Sequence, residues 1–330
     1  GTQVPRVNFQ YLTRKTKAIA EFIAPRRVWL LIDEWSTVSL DLQPYLADLI
    51  RRSFFSVPNV SVKIAAVEQR AAFKGDREGG GYLGIELGAD AAVALNLDDY
   101  LVYDANPERS VEVFRHLLRN HVMSISSELG IDLSKEVYEA WTSVAFTHEN
   151  TFVELVKACE GVPRDAMHIL ATAAQRAVTK PISAPILRAA ALAFFQMEKY
   201  TAVIANPMNR RMLDWIRYKV IDQRSTRNFL LQVGVKDEII DNLFDLRVLH
   251  VLNRSMSAAH RPGERYVVYK IDYGCYVDLT HTDKFPSNSA AADPSFGIQF
   301  DVPDDDKRSY RRAILDLTEF YEEQRHGTLL

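Results

Sequence analysis

Apolar and polar positions give the chain three successive textures. Residues 8–24 (NFQYLTRKTKAIAEFIA) read as one helix, ended by Pro25. The run VWLLI, Val28 to Ile32, is unbroken and of strand length, which suits a parallel strand buried on both faces. Two acids stand at its carboxyl end. Leu42, Tyr45, Leu46, Leu49 and Ile50 then recur at helical spacing and predict an amphipathic helix. Pro58-Asn59 turns the chain into a second strand, VSVKIAAV (residues 60–67). Strand, helix, strand is a βαβ unit, so a parallel sheet with a right-handed crossover is expected. KGDREGGG (residues 74–81) reads as a flexible loop, and a shorter strand at residues 93–97 closes the unit.

After about Asn106 the pattern turns helical. Helices are expected over residues 108–122, 134–144 and 149–159, the last stopping at Gly161. Pro163 opens the next, with Ala166, Leu170, Ala173, Ala174, Ala177 and Val178 on one face. Another spans residues 183–200. A third texture follows: helices over 208–221, 226–233 and 236–249, then two β-rich runs at 250–254 and 266–279 joined by SAAHRPGE. Three helices followed by a hairpin is the pattern of a winged helix. Residues 283–306 read as an extended arm and 310–324 as a final helix. The expected domains are therefore 1–105, 106–205, 206–282 and 283–330.

Composition changes this picture little. With 330 residues, 47% hydrophobic and 25% charged, the chain has the make-up of a globular protein of about two domains, not of a disordered tail or a rod. No apolar run approaches about 18 residues, so no membrane span and no membrane partner is expected. Two cysteines, Cys159 and Cys275, make neither a disulfide framework nor a zinc site, and suit a reducing cytoplasm. Charge is more informative. Residues 206–270 carry 12 Lys/Arg against 7 Asp/Glu, a local +5, so with −3 overall the remainder carries −8. A basic segment on an acidic body hints at nucleic acid. Gly1 is not an initiator methionine and no signal peptide follows it, from which a processed or cut chain is expected.

VWLLIDEW is the most informative stretch. Apolar residues ending in Asp-Glu at the carboxyl edge of a parallel strand form a Walker B arrangement, because open α/β sheets bind ligands beyond the carboxyl ends of their strands. There Asp33 can orient a hydrated Mg²⁺ on the β- and γ-phosphates of ATP, and Glu34 can polarise the attacking water. The other reading is a strand ending in two solvated acids at an ordinary turn. GVPRDAMHIL adds an arginine, Arg164, in the first turn of a helix. It is either a reporter of the γ-phosphate or a helix-start arginine paired with Asp165 or a neighbouring acid.

In this order VWLLIDEW, SVKIAAV, GVPRDAMHIL, the helix PISAPILRAAALAFF and a terminal winged helix resemble the AAA+ ATPases of the origin-recognition initiator clade, over roughly residues 28–279. The resemblance implies an α/β fold: a partial parallel P-loop-type sheet with a Walker B strand, an all-helical lid and a C-terminal winged helix. It further implies ATP and Mg²⁺ as cofactors, Asp33 and Glu34 as the Walker B pair with Asp33 the magnesium residue, and Arg164 as the sensor-2 arginine. The basic C-terminal unit becomes a DNA-binding module, and a homo- or hetero-oligomer is expected, a neighbour's arginine completing each site. Arg70 and Arg77 are the candidates for that role, each otherwise a solvated loop residue. At the end of the second strand, where this family usually has a small polar residue, Glu68 and Gln69 are the cofactor-binding candidates.

The chain departs from the family in a further respect. No GxxxxGK[ST] occurs in it, and a P-loop needs those residues to cradle phosphates. Either upstream sequence is missing, or the protein is a degenerate member that cannot bind ATP alone. The function expected is an ATPase coupling nucleotide state to DNA or partner binding; the alternative is a non-catalytic DNA- or protein-binding scaffold. On the DNA side the candidates are Arg247 on the third helix of the winged helix, and Arg254, His260, Arg261 and Arg265 in or beside the wing. Their other reading is a protein-contact surface. Other chemistry is set aside: His148-Glu149 is not followed by an HExxH histidine, no GxSxG elbow exists, and VPDDDKR lacks the pattern of a calcium loop.

Overall fold

A computed structural model describes residues 8–77, 79–90, 93–131, 134, 137, 140–224, 226–257, 263–281 and 313–326. The fold is mixed α/β, mainly helical with small sheets, and the chain divides into two compact units, Gly1–Leu95 and Asn96–Leu330. No helix among the described residues is long and apolar enough to cross a membrane.

In the first unit α1 (Phe9–Phe22) starts on Asn8, whose side chain accepts from the Tyr11 N–H. Strands β1 (Val28–Ile32) and β2 (Val60–Ile64) pair in parallel, Val28 opposite Val60 through Ile32 opposite Ile64, as the βαβ pattern leads one to expect. The two-sided burial expected for β1 is not found. Trp29 is 53% and Leu31 69% exposed, because α2 (Gln43–Ile50) covers one face only: Ile32, Val62 and Ile64 pack with Ala47, Ile50, Trp35 and Ile85. The helix itself is turned from its expected face. Leu42 and Tyr45 point to solvent while Gln43, Ala47 and Ile50 are buried.

The cause of that rotation lies in KGDREGGG, which is not a plain loop. Its first residues form β3 (Lys74–Asp76), paired antiparallel with β4 (Tyr82–Gly84). This hairpin rests on α2 at Pro44, close enough that a Cβ on Gly75 would stand 3.2 Å from the proline ring. Gly84 has φ +109, and a Cβ there would lie 2.1 Å from the Phe73 carbonyl oxygen, so only glycine fits. No strand forms over residues 93–97.

The second unit holds two hydrophobic cores. The first is helical, made by α3 (Asp98–Leu101), α4 (Pro107–Glu128), α5 (Trp141–Ala145), α6 (Glu149–Ala158), α7 (Pro163–Ala177) and α8 (Ala184–Phe194), with Phe114, Phe146, Phe152 and Leu155 at its centre. Past α8 the chain widens into a π turn, Phe195–Tyr200, then runs through the short α9 (Thr201–Ile204). The other core surrounds α10 (Pro207–Arg217), α11 (Glu238–Asp245) and a three-stranded antiparallel sheet of β5 (Asn228–Gln232), β6 (Leu249–Ser257) and β7 (Arg265–Ile271), in the order β5-β7-β6.

Two elements differ from their sequence reading here. Where a helix is expected over residues 226–233, the chain forms strand β5 (Asn228–Gln232). Phe229, Leu230 and Leu231 are buried on both faces, and such a run has no periodicity to separate strand from helix. Residues 266–279 are not continuous β: β7 stops at Ile271 and α12 (Tyr273–His281) follows. Asp272 caps it by accepting from the Gly274 N–H at 2.9 Å, and Tyr273 and Val277 join the helical core while Cys275 and Tyr276 join the sheet core. Residues 283–306, read as an extended arm, lie outside the described residues. The final helix is α13 (Leu317–Arg325). Ala313 and Leu315 pair with Leu230 at the free side of β5 (2.8 and 3.0 Å), and Phe320 of α13 packs edge-on against Trp215.

Candidate functional site

Asp33 and Glu34 stand where the sequence placed them, just past the carboxyl end of β1 beside a parallel neighbour. Both are exposed. The Asp33 Oδ1 accepts from the Glu34 N–H at 2.8 Å, and Glu34 itself has φ +54, a left-handed conformation that an L residue adopts at a cost of about 1 kcal/mol. The turn after β1 is tied to the segment after β2: Trp35 N–H donates to the Ala65 carbonyl, and Val67 N–H donates to Ser36 Oγ at 2.9 Å. Glu68 is exposed in the turn Glu68–Arg70, so three carboxylates share one edge of the parallel pair. Gln69 belongs to the same turn, and its side chain lies outside the described residues. Arg70 is half-buried and Arg77 exposed.

Sequence reasoning missed the residue that fixes this edge. Gln43, fully buried, accepts through Oε1 from Trp35 Nε1 at 3.0 Å and from the Ala72 N–H at 2.6 Å. Its Nε2 donates to the Val38 and Arg70 carbonyls at 2.8 and 3.0 Å. One amide thus satisfies four groups drawn from the loops after β1 and β2. A polar residue on the inward face of an otherwise amphipathic helix was the available signal.

In the second unit Arg164 is exposed in the first turn of α7, and among the described residues it forms no ion pair. It does not pair with Asp165. That carboxylate turns inward, is fully buried, and meets Lys199 Nζ at 2.9 Å and the Arg247 guanidinium. Lys199, carried by the π turn, also meets Asp272 Oδ2 at 2.6 Å, and His250 Nε2 stands 3.2 Å from the same oxygen. Burial alone would raise the Asp272 carboxyl, but Lys199 and His250 outweigh it and hold it far below the usual carboxylate range. Burial likewise works against the charge on Lys199; Asp272 and Asp165 overcome it and raise its pKa above the ordinary lysine value. A second buried cluster lies alongside: Lys270 Nζ meets Glu160 Oε2 at 2.9 Å and also Asp104, and Arg227 pairs with Glu160. Asp104, Glu160, Asp165 and Lys199 come from the helical lobe, whereas Arg227, Arg247, His250, Lys270 and Asp272 come from the sheet segment.

The cations expected on DNA are not equivalent. Arg247 is not on the third helix: α11 ends at Asp245, Arg247 follows in a left-handed turn (φ +57), and its guanidinium is held by Asp165. Arg254 is half-buried on β6 and lines a cleft of about 340 Å³ with Asp98, Asp99 and Asn253. Arg265 is exposed at the start of β7. His260 and Arg261 lie outside the described residues.

No protein-family model, curated protein or solved structure matches this chain.

Proposed function

We propose that the protein is an ATPase subunit of AAA+ type, in which Asp33 serves the magnesium ion and Glu34 the attacking water. The observation that carries this reading is the position of Asp33 and Glu34 at the carboxyl edge of a parallel strand pair. The donor set suits Mg²⁺ in part. Mg²⁺ in nucleotide sites is held mostly by phosphate oxygens and water with one or two carboxylates, which Asp33 and Glu34 could supply. Bound there, Mg²⁺ would neutralise charge on the β- and γ-phosphates. The chain's own residues would orient: the Asp33 carboxylate is fixed by accepting from the Glu34 N–H, and Glu34 offers a second carboxylate from its left-handed turn. Arg164, exposed in the first turn of α7 and without an ion pair among the described residues, is the candidate for a separate anion contact in the second unit.

Helix α10, strand β5, helix α11 and the β6–β7 hairpin support reading the sheet lobe as a winged helix, with the helices of the first core as the lid. The hairpin is then the DNA contact, through Arg254, His260, Arg261 and Arg265. The Asp98–Asp99 cleft beside Arg254 gives the hairpin a mixed charge, so affinity for duplex DNA rests on phosphates and falls with salt. Side-by-side assembly with Arg70 or Arg77 acting in trans belongs to the same proposal.

Turnover of Mg²⁺-ATP by the product of the complete reading frame tests the enzyme. Glu34→Gln should lower the rate about 100-fold or more while nucleotide stays bound. An unchanged rate overturns the reading. The second reading, a non-catalytic scaffold on the same fold, is favoured by the absence of GxxxxGK[ST] from these residues. For the hairpin, Arg261→Ala with Arg265→Ala should reduce the slope of log affinity against log salt by about 2 in fluorescence anisotropy with duplex DNA. An unchanged slope removes the wing from the DNA contact.

A further inference from the structure

Within the second unit a cleft of about 340 Å³ lies between α3 and β6, at the small end of the roughly 300–1,000 Å³ that small-molecule sites occupy. Its helical wall is Asn96, Asp98, Asp99, Val102 and Ala105, and its strand wall is the continuous stretch 251–255. Side chains of a regular strand alternate between faces, so five successive residues do not ordinarily line one cavity. They do so here where the pairing of β6 with β7 slips twice, between Val251 and Asn253 and between Asn253 and Met256. Among the described residues β6 is an outer strand of its sheet, and bulges at such edges re-aim side chains.

The walls are already set. Asn96 Oδ1 accepts from the Asp98 N–H at 3.1 Å, and Ser110 Oγ donates to the Leu101 carbonyl at 2.7 Å, which holds α3 against α4. Val102 and Val251 are buried, and Gly161 packs so closely on Val102 that a Cβ there would stand 2.8 Å from its side chain. A preformed wall of this kind costs little ordering when a ligand enters. The charged side chains of the lining are Asp98, Asp99 and Arg254, so one acid is left over. Asp98 is reachable from solvent, but the walls desolvate its carboxyl. Burial raises it above the ordinary carboxylate value; Arg254 and His250 pull against this without cancelling it, and Asp99 adds to it. A cation with an apolar body would supply the missing charge and cover Val102, Val251 and Leu252.

We propose that this cleft is a binding site for a small organic monocation, a primary amine on a short branched apolar body, whose ammonium meets the Asp98 and Asp99 carboxylates. The proposal does not rest on the nucleotide reading of Asp33 and Glu34.

Ligand-observed NMR titration of the full chain with isopentylamine tests it. The amine should bind with a dissociation constant of about 1 mM or tighter. The alcohol 3-methylbutan-1-ol keeps the shape and loses the charge, and should bind at least about tenfold more weakly. Asp98→Asn and Asp99→Asn should each weaken the amine about tenfold, whereas Glu322→Gln, on α13, should leave it unchanged. Equal affinity for amine and alcohol in the unaltered protein overturns the recognition of charge, with no variant needed. Amine binding left unchanged in either folded aspartate variant, or weakened as much by Glu322→Gln, takes it out of the cleft and overturns the site. Absence of binding by the unaltered chain at about 10 mM amine does the same.

Discussion

Lys199 is the place to test how the second unit is held together. Replacing it with methionine keeps most of the side-chain volume and deletes one buried charge shared by two carboxylates. Asp165 retains Arg247, but Asp272 is left with His250 and the Gly274 N–H. The uncompensated charge therefore falls on Asp272. Removing one partner of a buried pair costs about 3–5 kcal/mol, a large part of the roughly 5–15 kcal/mol that holds a typical domain. Lys199→Met should lose that amount in urea denaturation followed by circular dichroism at pH 7. Adding Asp272→Asn removes the stranded charge and should recover about half of it. The pH dependence has a definite sign. With its pKa held below the unfolded value, Asp272 in the unaltered protein contributes stability above the ordinary carboxylate range and loses it only as pH falls. Without Lys199 the same carboxyl is raised by burial, so the penalty disappears as it protonates. The gap between the two proteins should narrow from pH 7 toward pH 4. A loss below about 1 kcal/mol, or a double variant no more stable than Lys199→Met, would refute the ionic account of this junction.

Two further expectations concern other parts of the molecule. Gln43→Leu strands a buried indole N–H and the Ala72 N–H, and should cost about 2–4 kcal/mol of local stability. Hydrogen exchange in β1 and β2 measures it; unchanged protection would show that water replaces the amide. Cys159 and Cys275 are buried, and burial pushes both thiols up, Cys275 to about 12. Neither should react with an aromatic disulfide reagent at pH 8 until the protein unfolds, and a fast stoichiometric reaction in the native state would contradict that burial.

The sequence showed the first unit best where a single physical signal dominated. An unbroken apolar run located β1, a β-rich run after Pro58-Asn59 located β2, and Pro25 marked the end of α1. It misjudged α2 because the hairpin that selects the buried face lies thirty residues downstream, in a stretch whose glycines look like a loop. Strand β5 was unreadable for another reason: burial on both faces erases the alternation that identifies a strand. Helix α12 hid behind tyrosines spaced for either element. Of the site, the acids at the strand end were legible because their place follows from local order alone. The ionic junction was not. Asp104, Glu160, Asp165, Lys199, Arg227, Lys270 and Asp272 are scattered over about 170 residues, and each alone looks like a solvated charge.

The segment at residues 313–315 also bears on how the protein can be dissected. It shields the outer side of β5, and Ala313, Leu315, Leu317 and Phe320 fill out the sheet core. A fragment cut at residue 282, the boundary that composition recommends, would leave the β5 backbone unpaired on one side and a row of apolar side chains bare. Open edges of that kind recruit other chains. Soluble expression of the basic module alone thus requires the distant C-terminal residues, whether on the same polypeptide or added back as a separate peptide.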